Sequence, residues 1–305
     1  MSDKVYSRFC ECIGVQNVLT NEPMKDHTTF RIGGLAEYFL QPCSAMQVQE
    51  LLQICHEEGI AFSIIGNGSN LLVSDKGVSG AVIQIYKNMN EIIVTDKVIK
   101  AQAGALLNQL ATVAANADLS GLEFAAGIPG TVGGAVVMNA GAYGGEMKDV
   151  VTKVLVISRQ GELITLEQED LEMGYRTSII KQKQYIVLET TFLLCQSNKA
   201  TIQARMNELK GQRISKQPLE YPSAGSTFKR PEGHFAGKLI MDAGLRGFRV
   251  GDAQVSEKHC GFVINQGEAS AADVMQLMKA VKDKVKEQSG IELEPEVQFL
   301  GDFDD

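Results

Sequence analysis

Apolar residues recur at helical spacing after Ser44, at Val48, Leu51, Leu52 and Cys55, and the pattern stops at Gly59. A serine accepts a hydrogen bond from an unpaired first-turn N–H, and glycine tolerates the left-handed backbone that ends a helix. The pattern therefore predicts a capped helix. The same spacing predicts helices over Leu106–Ala117 and about Ile202–Ile214. Near the C-terminus, Ser270 and Asp273 form a capping box ahead of a stripe of Val274, Leu277, Met278, Val281 and Val285, closed by Gly290. Short apolar runs at Phe62–Ile65, Leu71–Val73, Ala81–Ile85, Ile92–Thr95, Val98–Gln102 and Tyr185–Leu194 predict strands. Val151–Ser158 and Glu162–Leu166 predict a hairpin turning at Gln160 and Gly161. At the end, Leu293, Val297 and Phe299 alternate with Glu294, Glu296 and Gln298, which predicts a strand with one buried face. Helices are too sparse for regular βαβ alternation, so the expected class is α+β. The polar stretch 197–200 marks a domain boundary, and residues 1–20 carry no motif beyond a possible docked helix.

At 305 residues and 44% hydrophobic, the chain can fill two cores. Its 29 Lys plus Arg against 37 Asp plus Glu give a net charge of −8, which argues against a nucleic-acid partner bound by phosphate neutralisation. No run approaches the roughly 18 apolar residues of a membrane span, and the start lacks the apolar core of a signal peptide. The expectation is a cytoplasmic protein with no membrane partner. Six cysteines, none in a CxxC pair, and four histidines support neither a zinc site nor a disulfide framework, so no metal is expected.

Thirty glycines shift attention to the main chain, and eight of them fall in GLEFAAGIPGTVGGAVVMNAGAYGGE, residues 121–146. Glycine lets backbone N–H groups approach an anion with no side chain in the way. A second loop, Ile64 to Leu71, reads IIGNGSNL and could form an anion nest with help from Ser69 and Asn70. It begins like a dinucleotide fingerprint, but Leu71 stands where the third glycine belongs and no helix follows. Gly233–Lys238 is one residue short of a P-loop, with Leu239 in place of Ser or Thr. Two glycine loops outside a Rossmann unit favour a dinucleotide cofactor on a different fold. Among side chains, Arg176 in Tyr175-Arg-Thr-Ser could grip a carboxylate, though from the tetrapeptide alone a surface arginine is the simpler reading. Ser226 lies in a proline-bounded loop beside Lys229 and Arg230, which could stabilise an alkoxide; by itself it reads as a turn serine. Glu296 sits on the polar face of the last run, where a solvated carboxylate is the default.

Taken in order, His27–Gly34 (HTTFRIGG), Gly66–Leu71, the 121–146 stretch, Tyr175–Ser178, Pro222–Pro231, Ala236–Ile240 and Leu293–Val297 resemble the UDP-N-acetylenolpyruvoylglucosamine reductase family over residues 20–300. The resemblance implies an α+β FAD-binding half of the vanillyl-alcohol-oxidase type over 20–197, in subdomains 20–85 and 86–197. A C-terminal α+β substrate domain would follow over 198–305. It implies non-covalent FAD held by Ile65, Gly66, Asn67, Gly68, Ser69, Asn70 and Leu71, by Ala126, Gly127, Ile128, Pro129, Gly130, Thr131, Gly133 and Gly134, and by Asn139 and Gly141. NADPH would be the co-substrate. Hydride from reduced N5 would go to C3 of the enolpyruvyl group and a proton from Ser226 to C2, while Arg176 and Glu296 stabilise the enol-like charge. Glu296 would need a raised pKa for that task. Lys216, Lys229, Arg230, Lys238 and His259 are candidates for the UDP phosphates, and a monomer is expected. The 50-residue interval from Arg176 to Ser226 matches the shorter group of the family, which lacks a tyrosine-bearing substrate loop. Two rivals are a covalent-flavin oxidase of the same fold and a flavin-binding protein without turnover; the glycine loops hold no His or Cys to tether a flavin.

Overall fold

In a computed structural model, described for residues 3–303, the chain divides into two compact units. The first comprises the residues up to Thr20, Tyr38–Asn67 and Gly80–Arg213; the second comprises Asn21–Glu37, Gly68–Ser79 and Ile214 onward. This differs from the expected division at 197/198. The physical reason lies in the two early segments. Phe30, Ile32 and Leu72 are buried in the core of the second unit with Ala224, Val263 and Val297. Thr29 donates its hydroxyl to the Ser223 carbonyl at 2.7 Å, and the Asn265 amide donates to the Phe30 carbonyl at 3.3 Å. The Asp75 carboxylate accepts the first N–H groups of the C-terminal helix, from Ala271 at 2.8 Å and Ala272 at 3.0 Å.

The first unit is built on a five-stranded antiparallel sheet in the order Leu163–Glu167, Val151–Ile157, Ile186–Leu193, Val98–Gln102, Ile92–Thr95. The expected hairpin is present, with Ile157 opposite Leu163 and Gly161 at φ +90° in its turn. A shorter sheet contains the parallel pair Phe62–Ile65 and Val78–Gln84. The helix Ala45–Glu57 begins as expected, with the Ser44 hydroxyl accepting from Gln47 N–H at 3.2 Å. A helix at Asp3–Ile13 packs Val5, Phe9 and Ile13 into this core.

In the second unit an antiparallel sheet, in the order Ser223–Ser226, Phe262–Asn265, Ala253–Val255, Arg249–Val250, shares its core with the helix Ala271–Ser289. The capping box forms, with Ser270 and Asp273 exchanging hydrogen bonds at 2.9 and 3.0 Å. The last strand is shorter than expected, Gln298–Leu300, and pairs in parallel with Leu71–Val73. Pro295 has no N–H for a ladder, so only an isolated bridge to Phe228 forms there. Phe299 points outward, against expectation, and packs on Phe303 with ring centroids 5.4 Å apart.

Candidate active site

Two glycine loops meet inside the first unit. A Cβ on Gly66 would lie 2.3 Å from Thr131 Oγ1, so this approach excludes every other residue. The Asn67 amide donates to the Pro129 carbonyl at 2.7 Å, fastening the loops together. Thr131 is buried and caps the short helix Val132–Val137. Gly133 N–H donates to the Ala103 carbonyl at 2.8 Å, so the glycine run also lies close against a neighbouring main chain.

Arg176 occupies a tight turn in the same unit. Gly174 and Thr177 exchange main-chain hydrogen bonds at 3.1 and 3.4 Å, and Arg176 itself sits at φ +57°. That left-handed conformation costs a non-glycine residue about 1 kcal/mol, an expense that fixes the direction of the side chain. The guanidinium donates to the Gly141 carbonyl at 3.4 Å and lies 5.1 Å from the Tyr175 ring centroid. Asn139, expected to bind cofactor, gives its side chain to the protein. Its amide donates to Glu146 Oε2 and to the Gly174 carbonyl, both at 2.9 Å, and its Oδ1 accepts from Lys148 N–H at 3.0 Å. The Glu146 carboxyl is held below the usual range, first by its bond to Lys148 and in part by the field of Arg176. Asn139 and Gly141 therefore build the seat of Arg176.

Sequence reasoning missed Arg213 at the end of the helix Lys199–Lys216. Its guanidinium lies against Gly127, where an added Cβ would be 3.2 Å from Nη1. Burial lowers its pKa, opposed by Tyr143, and among the described residues no acidic side chain is paired with it. One cation among five on a polar helix leaves little signal in sequence; only its position against a glycine marks it.

Ser226 and Glu296 are brought together in the second unit. Gly225, at φ +76°, introduces an irregularity that leaves Ser226 opposite Phe262 at the end of its strand. Thr227 N–H donates to the Gly261 carbonyl at 2.8 Å, and Thr227 Oγ1 accepts from Val263 N–H at 2.9 Å. The Thr227 carbonyl then accepts from Glu296 N–H at 2.9 Å. One residue thus ties the serine to the glutamate. His259 is half-buried, accepts from Gly261 N–H on Nδ1 at 3.1 Å, and has its pKa lowered by burial. Because Nδ1 accepts that bond, the proton of the neutral ring sits on Nε2. Of the other expected phosphate contacts, Lys229 pairs with Glu294 at 2.9 Å and Lys238 with Asp242 at 2.8 Å. Arg230 lies 4.4 Å from the Phe235 ring centroid, and Lys216 is exposed.

Residues 217–300 match the UDP-N-acetylenolpyruvoylglucosamine reductase C-terminal domain, and residues 36–167 match an FAD binding domain. A UDP-N-acetylenolpyruvoylglucosamine reductase from Agathobacter rectalis is 56% identical over 298 residues, covering 94% of this chain and 95% of its own. The chain belongs to the UDP-N-acetylenolpyruvoylglucosamine reductase family. A Geobacillus kaustophilus reductase of that family is 50% identical over 301 residues, 99% of either chain. The crystal structure of the Thermus caldophilus reductase superposes with a TM-score of 0.79 at 37% identity, over 93% of this chain and 98% of that one. A glucose oxidase, Phl p 4, shares the fold alone, at 15% identity, a TM-score of 0.51 and 71% and 51% coverage. As a UDP-N-acetylenolpyruvoylglucosamine reductase family member, the chain is an FAD-binding oxidoreductase of peptidoglycan synthesis with an α+β, vanillyl-alcohol-oxidase-type FAD half.

Proposed function

We propose that the chain reduces the enolpyruvyl ether of UDP-N-acetylglucosamine to the lactyl ether, with NADPH as electron source, giving UDP-N-acetylmuramate. The observation that carries this reading is the hydrogen bond from Glu296 N–H to the Thr227 carbonyl at 2.9 Å, which fastens the main chain of the glutamate to that of the residue next to Ser226. The glycine cradle fits FAD: Gly66 has no room for a side chain, and the Arg213 cation lies on Gly127 with no acidic partner among the described residues, as a diphosphate or an anionic ring would require. Gly66, Asn67, Gly127, Pro129, Thr131 and Arg213 would hold the group. When bound, FAD supplies the hydride that C3 receives.

Hydride addition to an enol-ether acid drives negative charge onto its carboxylate. Arg176, aimed by its strained turn, grips that carboxylate as a fork. Ser226 delivers its hydroxyl proton to C2, and Glu296, carrying a proton, hydrogen-bonds the developing enolate. Lys216, Lys229, Arg230, Lys238 and the Nε2–H of His259 receive the diphosphate. The Lys229–Glu294 and Lys238–Asp242 pairs open at little cost, because exposed pairs are worth about 0–1 kcal/mol. The reaction belongs in the cytoplasm, a placement supported by six free thiols. The test is product analysis after incubation with NADPH and the enolpyruvyl sugar nucleotide in D2O. The expected product has gained two hydrogens and carries solvent deuterium at C2. NADPH oxidation without sugar-nucleotide reduction, or a flavin that stays on the acid-denatured chain, would overturn the reading.

A further inference from the structure

We infer that Asn70 is a positioning residue for Glu296, so that the Gly66–Leu71 loop acts on the proton chemistry as well as on the cofactor. The inference rests on the role given to Glu296 above. Asn70 belongs to the loop expected to cradle FAD, yet its side-chain amide donates to the Glu296 carbonyl oxygen at 3.2 Å. The Gln298 side-chain amide donates to the same oxygen at 2.8 Å. The Asn70 carbonyl in turn accepts from Gln298 N–H at 2.9 Å, and Glu296 N–H donates to the Thr227 carbonyl at 2.9 Å. Both main-chain polar groups of Glu296 are thus held, by residues from three separate stretches of chain.

Strand pairing alone does not do this. The parallel ladder begins at Gln298 opposite Leu71, two residues beyond Glu296. Asn70 stands directly before that ladder and extends it backwards through its side chain. Pro295, with φ fixed near −65° by its ring, restrains the other flank. The Cα–Cβ direction of Glu296 is therefore set, and the carboxyl group is left only its own side-chain torsions. Misplacing a reacting group by about 1 Å can cost on the order of 100-fold in rate, so a residue that holds this direction has kinetic weight without touching substrate.

Reduction of the flavin by NADPH and its reoxidation by the enolpyruvyl sugar nucleotide are measured separately, by anaerobic stopped flow, in wild type, Asn70→Ala, Glu296→Gln and the double variant. The expected result, on protein fully loaded with FAD, is that Asn70→Ala leaves NADPH reduction within about 2-fold and slows reoxidation roughly 10–100-fold. It does so in the rate at saturation rather than in KM. In the Glu296→Gln background the same change costs almost nothing further, because it acts through a group already disabled. Equal slowing of both half-reactions in the FAD-loaded protein, or full additivity with Glu296→Gln, would overturn the inference while leaving the role of Glu296 intact. If Glu296→Gln alone leaves reoxidation unchanged, the underlying reading of Glu296 fails instead. Should Asn70→Ala not fold, Gln298→Ala removes the other donor to the same carbonyl and is judged by the same criteria.

Discussion

A guanidinium in a left-handed turn is an expensive way to place a surface arginine. At Arg176 the turn Gly174–Thr177, the Gly141 carbonyl and the field of Glu146 converge to hold it. Lysine at this position keeps the charge but loses the fork, so Arg176→Lys is expected to slow flavin reoxidation by substrate by about 100-fold and to leave NADPH reduction unaffected. Stopped-flow comparison of the half-reactions checks this. Arg213 carries a separate expectation. Charge-assisted hydrogen bonds are worth about 1.5–3 kcal/mol, so Arg213→Met should weaken FAD binding roughly 10–100-fold in a titration of apo-protein. An unchanged dissociation constant would remove Arg213 from the cradle. Thiol chemistry divides along the same lines of burial. Desolvation pushes Cys12 and Cys55 up to about 12, whereas Cys43 and Cys195 are exposed. Brief iodoacetamide treatment of the native protein at pH 8 should label Cys43 and Cys195 and spare Cys12 and Cys55.

Elements with local signals were legible in the sequence. The Ser44 cap, the turn at Gly161 and the Ser270–Asp273 box stand where the residues imply, because each is closed by neighbours within about five positions. The last strand was not, since Pro295 interrupts an apparent alternation and the remaining ladder forms with a segment more than two hundred residues away. The same non-local logic governs the C-terminal helix, whose first N–H groups are received by Asp75. Nothing near Asp75 announces that contact. Asp75→Ala should destabilise the protein by about 1–2 kcal/mol in urea denaturation, the range of a lost helix cap with its charge. A change below about 0.3 kcal/mol would show that the box at Ser270 suffices alone.

At the scale of the whole molecule, segments 21–37 and 68–79 fold with the C-terminal part, and the boundary expected from composition missed this because Phe30, Ile32 and Leu72 find their core far along the chain. The candidate residues carried local signals, which the domain plan did not. Arg176, Ser226, Glu296 and both glycine loops were named from sequence, while the use of Asn139 and Asn70 as braces and of Arg213 as a cation emerged only from packing. His259 adds a pH dependence. Burial depresses its pKa below the ordinary 6.5, so the unfolded chain binds more protons as pH falls below that value, and stability declines from there toward the depressed folded value. His259→Gln should flatten that part of the stability profile, measured by urea denaturation between about pH 7 and 5.

The most direct measurement is the pair of half-reactions in Ser226→Ala, followed anaerobically by flavin absorbance. NADPH should bleach the variant at the wild-type rate, and the enolpyruvyl sugar nucleotide should restore its colour more slowly by orders of magnitude, because only the proton for C2 has been removed. Wild-type flavin that stays bleached in the presence of that substrate, or a variant equally impaired in both steps, would contradict the account.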